Sequence, residues 1–195
     1  MMDGTQQAVE TKESLIIKSI RNIIEMIGDN PQRDGLLETP YRVCRAYSEL
    51  FSGYQQDPAD VLKTFENDCG CDQIVLLKDV EFFSTCEHHV LPFYGKAHIA
   101  YIPNSKYIVG ISKLARVLDI YAKRLQVQER ICQQVVQALR QYLNPLGAAC
   151  IIEAKHLCIA CRGVEKQHSV MVTSALDGLF LNDSSAKEEL MRLIR

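Results

Sequence analysis

The chain has 195 residues, 47% apolar and 24% charged, the composition of a soluble globular protein long enough for one ordinary domain with a substantial core. A net charge of −2 argues against a general nucleic-acid binder, so any anion site must be a local cluster of Arg and Lys. No run approaches the ~18 apolar residues of a membrane span, and the opening Met-Met-Asp-Gly-Thr-Gln-Gln lacks the basic and apolar regions of a signal peptide, so the expected compartment is the cytoplasm.

Residues 1–11 are polar and read as a frayed terminus. From Lys12, Leu15, Ile16, Ile20, Ile23, Ile24 and Ile27 recur at helical spacing up to Gly28-Asp29-Asn30-Pro31. Thr39-Pro40 predicts an N-cap followed by Pro at the first helical position, on a helix that sets Arg42 and Arg45 three apart. Asp57-Pro58 marks another helix start, and Asn67 to Asp72 a loop.

Ile74–Phe83 and Lys96–Ile102 alternate as strands. Ser112 is the expected N-cap of a helix through Tyr121, and a second helix runs from Val127 to Leu143. A third strand, Ala149–Leu157, would place Ile152, Ala154, His156 and Cys158 on one face. A fourth, Ser169–Ala175, precedes a C-terminal helix opened by Ser184-Ser185. The order is α+β: two hairpins around a helix pair, giving an antiparallel sheet of four strands covered on one side by helices. Such a sheet leaves two edges that pairing with another subunit would cover. Residues 1–70 form an N-terminal helical region and 71–195 one compact catalytic unit.

Chemistry concentrates in Ser84-Thr85-Cys86-Glu87-His88-His89. If the chain turns helically after Thr85, Cys86 and His89 share a face and can grip a borderline-soft cation such as Zn²⁺, with His88 pointing elsewhere. Two ligands cannot hold a catalytic zinc. A third is expected in His156-Leu-Cys-Ile-Ala-Cys-Arg-Gly163, with Cys158 foremost. Cys161 could close a Cys₃His site, which would make the metal a staple; a domain of this size does not require one.

His88 and His156 border the ligands and can carry protons near neutral pH, whereas His98 and His168 have no such company. Eight cysteines invite a disulfide reading, but Cys44, Cys132 and Cys150 sit in apolar-periodic segments and reduced thiols fit better. Gln128 and Glu129 open a helix, where a carboxylate complements the dipole or accepts paired N–H donors from an edge like guanine's. Arg42, Arg45, Lys113, Arg116 and Arg162 are scattered, and their spacing alone does not bring them together on a polyphosphate. There is no P-loop or Gly-rich dinucleotide fingerprint. The His-x-Glu and Pro-Cys-x-x-Cys pattern of zinc nucleobase deaminases is also absent.

Read together, five ordered blocks resemble the GTP cyclohydrolase I family over roughly residues 12–194. They are Asp34-Gly-Leu-Leu-Glu-Thr-Pro-Tyr-Arg42, Ser84 to His89, Gly110-Ile-Ser-Lys-Leu-Ala-Arg116, Arg124-Leu-Gln-Val-Gln-Glu-Arg130 and His156 to Gly163. The resemblance implies the tunnelling fold, with β-β-α-α-β-β units forming toroids and two pentamers stacked into a decamer with active sites between subunits. It implies a reaction of GTP and water giving 7,8-dihydroneopterin triphosphate and formate. It also implies Cys86, His89 and Cys158 as zinc ligands, His88 and His156 as proton carriers, and Ser112 as an aid to sugar rearrangement. Gln128 and Glu129 match guanine-recognition positions. Arg42, Lys113, Arg116 and Arg162 match triphosphate positions, with Arg45 where a Lys can occur. Cys161 is not a ligand in that family, and Cys69 and Cys71 lie outside its motifs. The competing expectation is a non-catalytic, zinc-stapled oligomer that binds a pterin or purine.

Overall fold

A computed structural model describes residues 11–195, so the polar stretch before Thr11 lies outside the described residues. The chain divides into two compact units, residues 1–49 and 50–195. In the first, α1 (Lys12–Met26) begins at Thr11, whose hydroxyl accepts the Ser14 N–H at 3.2 Å. Ile24 is buried, but Leu15, Ile23 and Ile27 of the same apolar series stay exposed. Helix α2 (Thr39–Leu50) follows, with Thr39 already inside its first turn and Arg42 and Arg45 both exposed.

The second unit holds a 3₁₀ turn (Ser52–Gln55), α3 (Pro58–Val61) and β1 (Thr64–Glu66). Then come β2 (Val75–Cys86), β3 (Leu91–Ile102), β4 (Tyr107–Val109), α4 (Ile111–Ala122), β5 (Leu125–Gln126) and α5 (Gln128–Leu143). The chain closes with β6 (Gly147–His156), α6 (Leu157–Ala160), β7 (Met171–Gly178), α7 (Leu179–Asn182) and α8 (Ser184–Ile194). The main sheet runs β5-β2-β3-β6-β7, and β1 and β4 make a separate pair. All neighbours in the main sheet are antiparallel except β5, which lies parallel to the end of β2 through Thr85↔Leu125 and Cys86↔Gln126.

The helix pair between two hairpins is present as expected, and the helices cover more than one side. Alternation along β3 and β6 sends Ile99, Tyr101, Cys150 and Ile152 into a core with Leu114, Val117 and Leu118 of α4 and Ile131, Val135 and Leu139 of α5. The residues between them, Ala100, Ile102, Ala149 and Ile151, pack on the other face against Phe180 of α7 and Leu190 of α8. Each such Leu, Ile or Phe contributes about 1.5–3 kcal/mol of burial.

Several local expectations are corrected. Strand β3 starts at Leu91, not Lys96, because a four-residue turn after Cys86 lets both strands of the hairpin run twelve residues. The sheet gains a fifth, two-residue strand where Leu125 and Gln126 bridge the helix pair. Gly110, not Ser112, caps α4. Strand β6 ends at His156 and the chain coils into α6, so Cys158 lies on a helical turn and not on the strand face that carries Ile152 and Ala154. A bulge between Leu77 and Val80 puts Asp79 at φ 59°, and its N–H donates to His98 Nδ1 at 3.2 Å.

Candidate metal centre

Cys86 is the last residue of β2, buried and held from both sides by Leu91 and Gln126. The chain then turns over Glu87–Val90, closed by Val90 N–H donating to Cys86 O at 2.9 Å. Val90 takes φ 53° to enter β3. This turn brings His89 Nδ1 to 3.8 Å from Cys86 Sγ, as a helical turn after Thr85 would. Cys158, buried in α6, completes the group. One ligand atom from each of Cys86, His89 and Cys158 lies within 4.8 Å of the others.

Donors 2.0–2.3 Å from a tetrahedral zinc would stand roughly 3.5–3.8 Å apart, so a group within 4.8 Å, with Cys86 and His89 already at 3.8 Å, could close on such an ion with a small inward shift. The two sulfurs are free thiols, and burial, followed by the neighbouring Cys86, pushes the Cys158 thiol above its ordinary pKa. A cation between them would reverse that preference and hold both as thiolates. Cys161 stands outside the group: it is exposed, and its thiol donates to Leu157 O at 2.9 Å in its own turn. Among the described residues the donor set is therefore two sulfurs and one imidazole, which leaves a tetrahedral ion one position short of closure.

His156 sits directly across from Phe93 in the β3–β6 register, and the two rings stack at 4.5 Å with planes 3° apart. Burial lowers its pKa, opposed by the Glu129 carboxylate, and so favours the uncharged ring. Its Nε2 is 2.8 Å from Gln128 Oε1. Glu129 follows, exposed in the first turn of α5. His88 is exposed, 6.2 Å between ring centroids from His89 and 3.8 Å from the Glu87 carboxylate. Arg162 Nη1 donates to Cys158 O at 3.4 Å, which places the arginine next to the third donor.

Ser112, Lys113 and Arg116 are not part of this assembly. They occupy the N-terminal half of α4, whose other end is fixed beside the cysteine by Ser84 Oγ donating to Ala122 O at 2.7 Å. At 1.5 Å per helical residue, Ser112 stands roughly 15 Å from that end. The start of the helix lies instead near Tyr101, whose hydroxyl accepts the Val109 N–H at 3.2 Å and which pairs with Val75, the far end of β2. Arg42 and Arg45 belong to the N-terminal unit.

Two participants escaped the sequence reading. Phe93 is visible only through the β3–β6 register. Arg130, which pairs with Glu87, could have been suspected, because the two residues lie in the two blocks richest in polar chemistry.

A sheet flanked by a helix pair, with a sulfur–imidazole group that could hold a metal ion at the end of its second strand, defines an enzyme scaffold of the tunnelling-fold class. A family model described as GTP cyclohydrolase I matches residues 16–195. The GTP cyclohydrolase 1 of Wolinella succinogenes is 50% identical over 187 residues, covering 96% of this chain and 100% of that one. That of Chlorobium phaeovibrioides is 50% identical over 193 residues, covering 99% and 86%. That of Bacteroides fragilis is 52% identical over 175 residues, covering 90% and 89%. The chain belongs to the GTP cyclohydrolase I family.

Proposed function

We propose that this protein is a zinc-dependent GTP cyclohydrolase, converting GTP and water to 7,8-dihydroneopterin triphosphate and formate at the entry to pterin and folate synthesis. The observation that carries the reading is the meeting of Cys86 and His89 with Cys158, from a distant part of the chain, beside His156. A zinc ion held there would supply Lewis acidity, bringing the pKa of water from 15.7 towards about 7.

The remaining work falls to side chains of the protein. Glu129 accepts the N1 and N2 donors of guanine and so aims C8 at the donor triad, with Gln128 beside it. His156 and His88 deliver a proton to N7 as water adds at C8 and the imidazole ring opens, and they recover it as formate leaves. Ser112 assists the ribose rearrangement that precedes closure of the dihydropterin ring. Arg162 binds the triphosphate with Lys113, Arg116, Arg42 and Arg45, and that remote binding energy orients the base.

Because Ser112, Lys113 and Arg116 lie far from the Cys86 of their own chain, a second copy supplies them. That arrangement, with the exposed Leu15, Ile23 and Ile27 of α1, supports the decamer of two pentamers. Catalysis resides in residues 71–195, and the helical region 1–70 adds Arg42 and Arg45. No described helix is long and apolar enough to cross a membrane, and the proposed compartment is the cytoplasm.

The test is to incubate zinc-replete protein with GTP and follow formate release and pterin absorbance, with and without a chelator. Formation of both products, abolished by chelation, is expected; GTP left unchanged would overturn the reading.

A further inference from the structure

The side chain of Gln128 is buried, and both ends of its amide are engaged inside the chain. Its Nε2 lies 3.0 Å from each of Ile152 O, Met171 O and Thr173 Oγ1. Two of those oxygens are carbonyls and can only accept, so the NH₂ end of the amide must face them; the flipped orientation would set Oε1 against two lone-pair-bearing oxygens. Oε1 is therefore the atom that meets His156 Nε2 at 2.8 Å, and it too can only accept. The proton of that hydrogen bond resides on the histidine.

The Phe93 stack fixes the plane of the His156 ring, but a half-turn of the ring within that plane would preserve the stack while exchanging nitrogen and carbon positions. Only the amide distinguishes the two orientations. We infer that Gln128 is a positioning residue that fixes His156 as the Nε2–H tautomer and leaves Nδ1 as the ring's proton acceptor. This rests on His156 carrying protons in the reaction proposed above. It leaves the Gln128 amide no N–H for the base, since the NH₂ end is engaged by acceptors inside the chain and only the second lone pair of Oε1 stays open. Base recognition then falls chiefly to Glu129.

The primary test is spectroscopic and needs neither metal nor turnover. Magic-angle-spinning ¹⁵N spectra of histidine-labelled protein, with His156 identified by the signal missing from His156→Asn, report which ring nitrogen bears hydrogen. Wild-type protein is expected to show hydrogen on Nε2, and Gln128→Met to show a mixture or the other tautomer. Hydrogen on Nδ1 in the wild type, or no change in Gln128→Met, overturns the inference. The wild-type spectrum decides the matter even if the variant does not fold.

Kinetics supply the second readout. Gln128→Met should lower kcat roughly tenfold to a hundredfold while KM for GTP stays within about twofold. Its preference for GTP over inosine triphosphate, which lacks the 2-amino group, should remain, whereas Glu129→Gln should erode it. A rise in KM with lost discrimination in Gln128→Met would return the residue to the base. If zinc-replete wild type does not act on GTP, the proposed reaction fails, and the tautomer assignment is still judged by the spectra alone.

Discussion

Arg130 grips Glu87 with both ends of its guanidinium, Nη1 to Oε2 and Nη2 to Oε1, the latter at 3.0 Å. The pair ties the turn carrying His88 and His89 to the helix turn carrying Gln128 and Glu129. Glu87 N–H also donates to Gln126 O at 3.0 Å, so the first residue of the turn is held by backbone and side chain together. The geometry is the fork-to-fork match that gives arginine–carboxylate pairs their orientation.

Removing this clasp should loosen the donors without deleting one. Arg130→Leu is expected to weaken zinc binding roughly tenfold, as loss of an outer partner typically does. Competition with a chromogenic chelator measures it, and affinity equal to wild type would deny the clasp any part in holding the site.

Cys161 has its thiol turned to the Leu157 carbonyl and lies apart from the donor triad. Cys161→Ser should keep one zinc per chain and full turnover, whereas Cys158→Ser should lose both. Metal analysis of the purified variants, together with formate release, gives the answer. Loss of zinc from Cys161→Ser would point to a closed structural site instead of an open catalytic one.

The separation of Ser112 from Cys86 within one chain predicts complementation. Cys86→Ser and Ser112→Ala homo-oligomers should each be nearly inactive, and subunits mixed by unfolding and reassembly should recover part of the activity at sites drawing one good half from each parent. Mixtures no more active than their components would place both residues in the same chain's site.

His98 provides a pH prediction independent of catalysis. Burial depresses its pKa below 6.5; Asp79 and Glu153 pull it up, Lys78 and Lys96 push it down, and its Nδ1 accepts the Asp79 N–H. The unfolded chain therefore binds the proton more readily than the folded one. Stability from the neutral ring is fully present above about pH 6.5 and declines as pH falls from there towards the folded pKa. His98→Gln should flatten this slope in thermal unfolding followed between pH 5 and pH 8. An unchanged slope would remove His98 as its source.

The donor triad was legible in the sequence because Cys86 and His89 are local in the chain and the Cys158 segment is dense with similar chemistry. The strand face proposed for Cys158 was not, since nothing in Leu157-Cys-Ile-Ala-Cys signals that period two gives way to a helical turn. The hairpin suffered in the same way: Pro92 and Gly95 suppress the strand signal over residues that nonetheless pair along their whole length with β2. Gly95 is needed there, because a Cβ would lie 1.9 Å from Glu153 O. The distance between the start of α4 and the cysteine is a tertiary quantity with no local trace, since it depends on which end of the helix meets Ser84.

The two-residue strand β5 splits β2 into unequal parts. Thr85 and Cys86 have backbone neighbours on both sides, while among the described residues the stretch from Val75 to Ser84 has one only on the side of β3. The end that holds the sulfur is thus finished by the chain's own folding, and the length beside it is an open sheet edge. All three donors belong to one folded chain, so on the proposed reading the uptake of an ion requires no second copy.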